Sequence, residues 1–218
     1  MKGRKIRKDF VVPLLDTKFI KVFDLEYEKD RHYYDATRRN VADLVATKTD
    51  QELKEAFPDA VSCVVVLVDE SGKERLCVMQ EYRYPIGRFV LSVPSGLIDD
   101  KDKEQENPLY SAAIREVAEE TGLAFDEVID EIKTVNPMLF CSPGMTDEST
   151  AVVKIVMHRK KIPEISKDGA VGTELFKNGA WITKDEAITY LKKGSDETGI
   201  FYSAITWIAL NVFISDLW

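Results

Sequence analysis

Histidine and cysteine are scarce in this chain. His32 and His158 are the only two imidazoles and lie far apart, which gives a zinc site or a His-based catalytic triad little to build from. The three cysteines (Cys63, Cys77 and Cys141) are an odd number with no C-x-x-C pair. Two of them fall in apolar, strand-like runs, so buried free thiols in a reducing cytoplasm are expected. Positive charge is in deficit: 30 Lys and Arg against 38 Asp and Glu give −8. That argues against a general nucleic-acid binder, which needs clustered cations for phosphates. No apolar run is long enough for a bilayer; Ile200–Ile214 is short and interrupted by Ser203, Thr206 and Asn211, so it reads as a core or interface helix. The basic start (Lys2, Arg4, Lys5, Arg7, Lys8) is followed by no apolar h-region. It reads as a solvated tail and not as a secretory signal.

What is present suits one mid-sized catalytic domain, or one domain with a small N-terminal appendage: 218 residues, 44% hydrophobic and 31% charged. Residues 19–28 and 33–39 are expected as strands, and 43–56 is helix-compatible. Val61–Val68 lacks alternation, as a central strand covered on both faces would. Ser71-Gly72 marks a turn into a strand over 75–82, and a short strand at 89–93 is broken by Pro94. Beyond a helix over 108–121, strands are expected at 128–135, 149–158 and 175–182, with helices at 184–193 and 200–216. Mixed strands with helices on both sides imply α/β/α layering.

One helix carries an unusual charge pattern. Glu116, Glu119 and Glu120 stand at i, i+3 and i+4, so they share a face. They also occupy the last turn, because Gly122 follows as a stop. Acids there oppose the macrodipole and repel one another, at roughly 0.3–1 kcal/mol per interaction. Such a run is usually a solvated face, with Arg115 as an i,i+4 partner of Glu119. The alternative is a divalent cation that prefers oxygen ligands.

The surrounding residues favour the cation. Arg115-Glu-Val-Ala-Glu-Glu-Thr-Gly-Leu123 matches R-E-U-x-E-E-x-G-U (U aliphatic), with Gly96 upstream. This resembles the Nudix hydrolases, whose box opens on a Gly. The family has five residues between that Gly and a Glu, then seven before the Arg. Here nine separate Gly96 from Glu106 and eight separate Glu106 from Arg115, and Asn107 takes the Glu position if the helix is kept in register. In the family that Glu supports the loop and the Arg. Asp99–Glu106 therefore reads as a lengthened, charged loop, with Asn107-Pro108 as N-cap and N1 of the helix.

Flanking segments resemble the ADP-ribose pyrophosphatases. Tyr82-Arg83-Tyr84-Pro85-Ile86-Gly87, Val93-Pro94-Ser95-Gly96-Leu97-Ile98-Asp99 and Cys141-Ser142-Pro143-Gly144-Met145-Thr146-Asp147-Glu148 look like three stretches of that subfamily. Glu81 and Ser92 depart from its usual Gln and Glu. The resemblance implies a Nudix-type α/β/α sandwich with a mixed sheet, residues 57–218, plus a small N-terminal β-rich region, residues 1–56, used for dimerisation and substrate. It implies Mg²⁺ (or Mn²⁺) held by Glu116, Glu119, Glu120 and the Ser95 carbonyl, with Gly96 allowing close backbone approach. Glu148 and Glu119 would be catalytic, with Asp147 as the alternative to Glu148. Arg83 would clamp phosphate, and Arg115 and Gly122 would support the site. The implied activity is hydrolysis of ADP-ribose or a related nucleoside diphosphate sugar in the cytoplasm, by a homodimer. Other nucleoside diphosphate substrates, or a non-catalytic nucleotide sensor, are the rival readings.

Overall fold

The N-terminal segment pairs with itself. β1 (Val11–Asp16), β2 (Lys21–Glu28) and β3 (Arg31–Thr37) form an antiparallel sheet in that order. Its core is small: Phe23, Leu25 and Leu44 are buried, with Ile6, Val11 and Ala46 packed on them. The helix-compatible stretch after it yields two 3-10 turns and one short helix, α1 (Asp50–Lys54), which starts on a Thr49–Glu52 capping box. In this computed structural model, which describes residues 6–166, 175–215 and 217–218, the chain divides into two units. The first is Met1–Asp59 with Met138–Thr150; the second is Ala60–Pro137 with Ala151–Trp218.

The second unit is built on β4 (Ala60–Val68), buried along nearly its whole length. β5 (Glu74–Arg83) pairs antiparallel with it across the Ser71-Gly72 turn. β6 (Arg88–Ser92) pairs with β5, and the three residues of β7 (Ser95–Leu97) pair with the start of β4. After the short α2 (Asp100–Lys103) comes α3 (Pro108–Thr121). The Asn107 side chain accepts from the Tyr110 N–H at the start of α3, and Gly122, at φ 72°, closes it by donating to the Ala118 carbonyl. β8 (Glu131–Phe140), β9 (Ser149–His158) and β10 (Phe176–Ile182) complete a mixed seven-stranded sheet with the path β10-β5-β4-β9-β8. α4 (Lys184–Lys193) and α5 (Ala204–Ile214) follow.

Side-chain alternation along β4 explains the layers. Val61, Cys63, Val65 and Leu67 meet Ala112, Ala113 and Val117 of α3 in one core, joined by Ala151, Val153, Ile155 and Met157 of β9. Val64 and Val66 point to the opposite face, where α5 contacts β4 with Ala209, Leu210 and Phe213 buried. The result is the helix–sheet–helix layering that the run without alternation implies.

Several boundaries differ from the sequence expectation. β1 is added, and beyond Val11 its apolar residues lie exposed. The strand expected at 128–135 begins at Glu131, because Asp126 and Asp130 bind the backbone of 126–130 into a turn that leaves Val128 outside. The last helix starts at Ala204 on its Ser203 cap, since Phe201 and Tyr202 are taken up by β6: the Leu91 N–H donates to the Phe201 carbonyl. Cys63 and Cys77 are buried free thiols, but Cys141 is exposed, because it opens a loop instead of filling a strand. Asp99–Glu106 is not merely a loop, since it contains α2 and one buried acid. No described helix is long and apolar enough to cross a membrane.

Candidate functional site

Pro94 ends one strand and lets the chain re-enter the sheet as β7, one residue later. The pairing of Ser95 with Ser62 and of Gly96 with Val61 fixes that short strand, which contacts α3. Glu116 and Glu120, one turn apart, both face it. The Ser95 N–H donates to Glu120 Oε2 at 3.1 Å. A Cβ on residue 96 would overlap the Glu116 carboxylate, so any side chain there would displace it. Glu116 and Glu120 are buried, whereas the Glu119 side chain is 40% exposed.

Arg115 ties this face together. Its Nη1 donates to Glu116 Oε1 at 2.7 Å and to Glu119 Oε2 at 3.2 Å. Its Nη2 donates to the Leu97 carbonyl at 2.9 Å and to Asp102 Oδ2 at 2.8 Å. Asp102 is buried in turn, accepting also from Ser111 Oγ and from the Asp99 N–H. Burial pushes the Asp102 carboxyl upward, but hydrogen bonds from Arg115, Ser111 and Asp99 outweigh it and hold it below the ordinary value. Behind the site, burial first and then the Glu120 charge raise the Cys63 and Cys77 thiols. They stay neutral and serve as packing.

Four carboxylates, Asp99, Asp102, Glu116 and Glu119, thus surround a single guanidinium. The donors are hard oxygens, which suit Mg²⁺ or Mn²⁺ better than zinc. Among the described residues no three acidic, His or Cys side chains already converge as a cation cage. Glu116 and Glu119 are instead engaged by Arg115.

The other expected site residues each have contacts of their own. Arg83 ends β5 half-exposed, paired with Glu81 at 2.6 Å. Glu148 belongs to the first unit, where its carbonyl accepts from the Cys141 N–H and closes the 141–148 loop. Its side chain is 38% exposed, with Arg38 Nε at 3.4 Å. Asp147 is buried and tied to β3, with Thr37 Oγ1 donating to its Oδ1 at 2.6 Å. Gly122, the C-terminal stop of α3, lies against Ser166.

The NUDIX domain model matches residues 57–202 of this sequence. The chain belongs to the Nudix hydrolase family. Putative nudix hydrolase 2 of Caenorhabditis elegans is 38% identical over 101 residues, 46% of this chain and 41% of that protein. The ADP-sugar pyrophosphatase of Mus musculus is 26% identical over 133 residues, 61% of this chain and 56% of that protein. The chain spans about half the length of the curated relatives it matches. A solved ADP compounds hydrolase shares the fold, with a TM-score of 0.54 at 17% identity over 92% of this chain and 87% of that one.

Within the Nudix box, Asp102 makes the contacts expected of the family's first Glu. Five residues separate it from Gly96, the family spacing, and twelve separate it from Arg115 where the family has seven. The insertion therefore follows the acid instead of preceding it. Glu106 is exposed and Asn107 caps the helix. Asp102 is missed from sequence because an Asp stands in for Glu inside a run of like residues. Counting forward from Gly96, and not backward from Arg115, would have found it.

Proposed function

We propose that this Nudix chain hydrolyses the diphosphate linkage of ADP-ribose or a related nucleoside diphosphate sugar, giving AMP and ribose 5-phosphate from ADP-ribose. The observation that carries the reading is the close packing of Gly96 and Ser95 of β7 on Glu116 and Glu120 of α3, with Arg115 bridging Glu116 and Glu119. Glu116, Glu119, Glu120 and the Ser95 carbonyl would hold Mg²⁺ or Mn²⁺. When bound, such an ion offsets the diphosphate charge and acidifies water. Asp102 and Arg115 keep the α3 carboxylates oriented. Arg83 exchanges Glu81 for a substrate phosphate, a charge-assisted contact suited to its fork of donors. Glu148 takes the proton of the attacking water as general base. The likeness to the mouse ADP-sugar pyrophosphatase supports the sugar-nucleotide class.

Altered spacing after Gly96 would favour a non-catalytic sensor, but Asp102, bonded to Arg115, offers an acid at the family spacing, which supports the catalytic reading. Residues 1–56 serve as a dimerisation and substrate region, supported by the exposed apolar face of edge strand β1, where Val12, Leu14 and Leu15 are each about half-exposed.

A panel of nucleoside diphosphate compounds read by mass spectrometry tests the proposal. ADP-ribose should be cleaved with added Mg²⁺ or Mn²⁺, EDTA should abolish turnover, and Glu120→Gln should lower kcat by about 10²-fold. Turnover of no member, or near-wild-type activity in Glu120→Gln, would overturn it.

A further inference from the structure

The two residues flanking Glu148 are held far more tightly than Glu148 itself. On one side, the Asp147 N–H donates to Asp35 Oδ1 at 3.1 Å. The Asp147 carboxylate accepts from Thr37 Oγ1 at 2.6 Å and from the Val45 N–H at 3.1 Å. On the other side, the Ser149 N–H and hydroxyl both donate to Asp59 Oδ2, at 2.8 and 3.0 Å. Arg39 joins the two sides. Its Nη2 donates to Asp59 Oδ2 at 2.7 Å and to Ser149 Oγ at 3.3 Å, while its Nε stands 3.5 Å from Asp147 Oδ2. Further along the loop, Tyr33 Oη donates to the Gly144 carbonyl at 2.8 Å and the Ala36 N–H to the Met145 carbonyl at 3.0 Å.

This arrangement is costly. Three acids (Asp35, Asp59 and Asp147) are gathered around one guanidinium, largely out of water, and Asp35 Oδ2 has no hydrogen-bond partner. Apolar packing would hold a loop without burying like charges. A hydrogen-bonded network instead fixes direction, since each bond constrains an angle as well as a distance. Glu148 sits at the centre of that constraint with its own carboxylate still open to solvent.

We propose that Arg39, with Asp35, Thr37 and Asp59 around it, is a positioning device for Glu148: it locks residues 147 and 149 so that the carboxylate between them is presented from a fixed backbone. This rests on the reading of Glu148 as the general base of ADP-ribose hydrolysis. None of the four residues touches substrate in this scheme; they act through the loop. Asp35 and Thr37 on β3, Arg39 just after it and Asp59 just before β4 give the N-terminal region a role in catalysis separate from any role in dimerisation.

The test compares Arg39→Met and Thr37→Val with wild type in two ways. Hydrogen exchange of peptides covering 141–150 reads the lock directly and needs no turnover. Exchange should quicken there in both variants while the α3 peptides keep their protection. Unchanged protection of 141–150 would overturn the proposal even if ADP-ribose proves not to be a substrate. The second readout is kcat for ADP-ribose in the single and double variants. Arg39→Met should lower kcat by about 10-fold or more, as small misplacements of a reacting group do, with little change in KM. In a Glu148→Gln background the same change should cost almost nothing further. An equal loss in both backgrounds would mean a merely structural role and would overturn the proposal. Full activity in Glu148→Gln alone would instead refute the assignment of Glu148. If Arg39→Met fails to fold, Thr37→Val, which removes one hydrogen bond, decides by the same two readouts.

Discussion

Asp102 and Arg115 form an ion pair at 2.8 Å, with the acid 2% exposed and the guanidinium also holding Glu116, Glu119 and the Leu97 carbonyl. Removing the acid leaves Arg115 with its other partners, so the cost should fall below that of stranding a lone buried charge. Asp102→Ala is expected to lower stability by about 1–3 kcal/mol and kcat by roughly 10-fold, measured by urea denaturation and steady-state turnover. Asp102→Glu should retain most activity. Glu106→Gln should stay within several-fold of wild type, because Glu106 is exposed. The Asp102 carboxyl is held below its ordinary value in the fold. Its contribution is therefore complete at neutral pH and lost as pH falls through the folded value, so the gap between wild type and Asp102→Asn should narrow in acid.

Gly96 can carry no side chain without displacing the Glu116 carboxylate. Gly96→Ala should fold with a loss of about 1–3 kcal/mol from overpacking and lose about 10²-fold or more in kcat. Gly72→Ala is the control: φ is +77° but nothing lies within 4 Å. It should cost about 1 kcal/mol from backbone strain and leave turnover intact. Equal activity losses in the two variants would show that the effect at 96 is general and not a matter of Glu116.

Asp35 gives the first unit a distinct pH signature. Burial, and then the neighbouring Asp147 charge, push its carboxyl up from 3.8 to about 6, against the Asp147 N–H and Arg39, which pull it down. A raised acid favours the fold below its unfolded value and loses that contribution as pH rises through the folded one. Asp35→Asn should therefore be more stable than wild type above pH 6 by roughly 1–3 kcal/mol, with the gap closing towards pH 4. Thermal melts of both proteins across that range check it. A gap that widens in acid would contradict the assignment.

β1 is an edge strand whose sequence, Val11-Val-Pro-Leu-Leu-Asp16, is apolar and exposed. Edges of that kind invite pairing with another chain. Val12→Lys with Leu14→Lys should shift a dimer to monomer by light scattering at micromolar concentration. A wild-type protein that is already monomeric and fully active would remove dimerisation from the proposal.

Position in the sequence decides what could be read from it. The helix 108–121 was legible because its signals are local: an Asn-Pro start, a Gly stop and three acids at helical spacing all act within one or two turns. The buried strand β4 was legible from its unbroken apolar run, and with it the helix–sheet–helix layering. The acidic half of the Nudix box followed for the same reason, since R-E-V-A-E-E-T-G-L is one contiguous word. β1 was not legible, because beyond Val11 its apolar residues are exposed. Asp102 was legible only by counting forward from Gly96; composition does not tell it from its neighbours Asp99, Asp100 and Glu104, and it is the fold of α2 that turns this acid inward to Arg115. The grip of Asp35, Thr37 and Arg39 on residues 147 and 149 spans about 110 positions. Only tertiary folding brings those residues within hydrogen-bonding reach, so no local pattern records it.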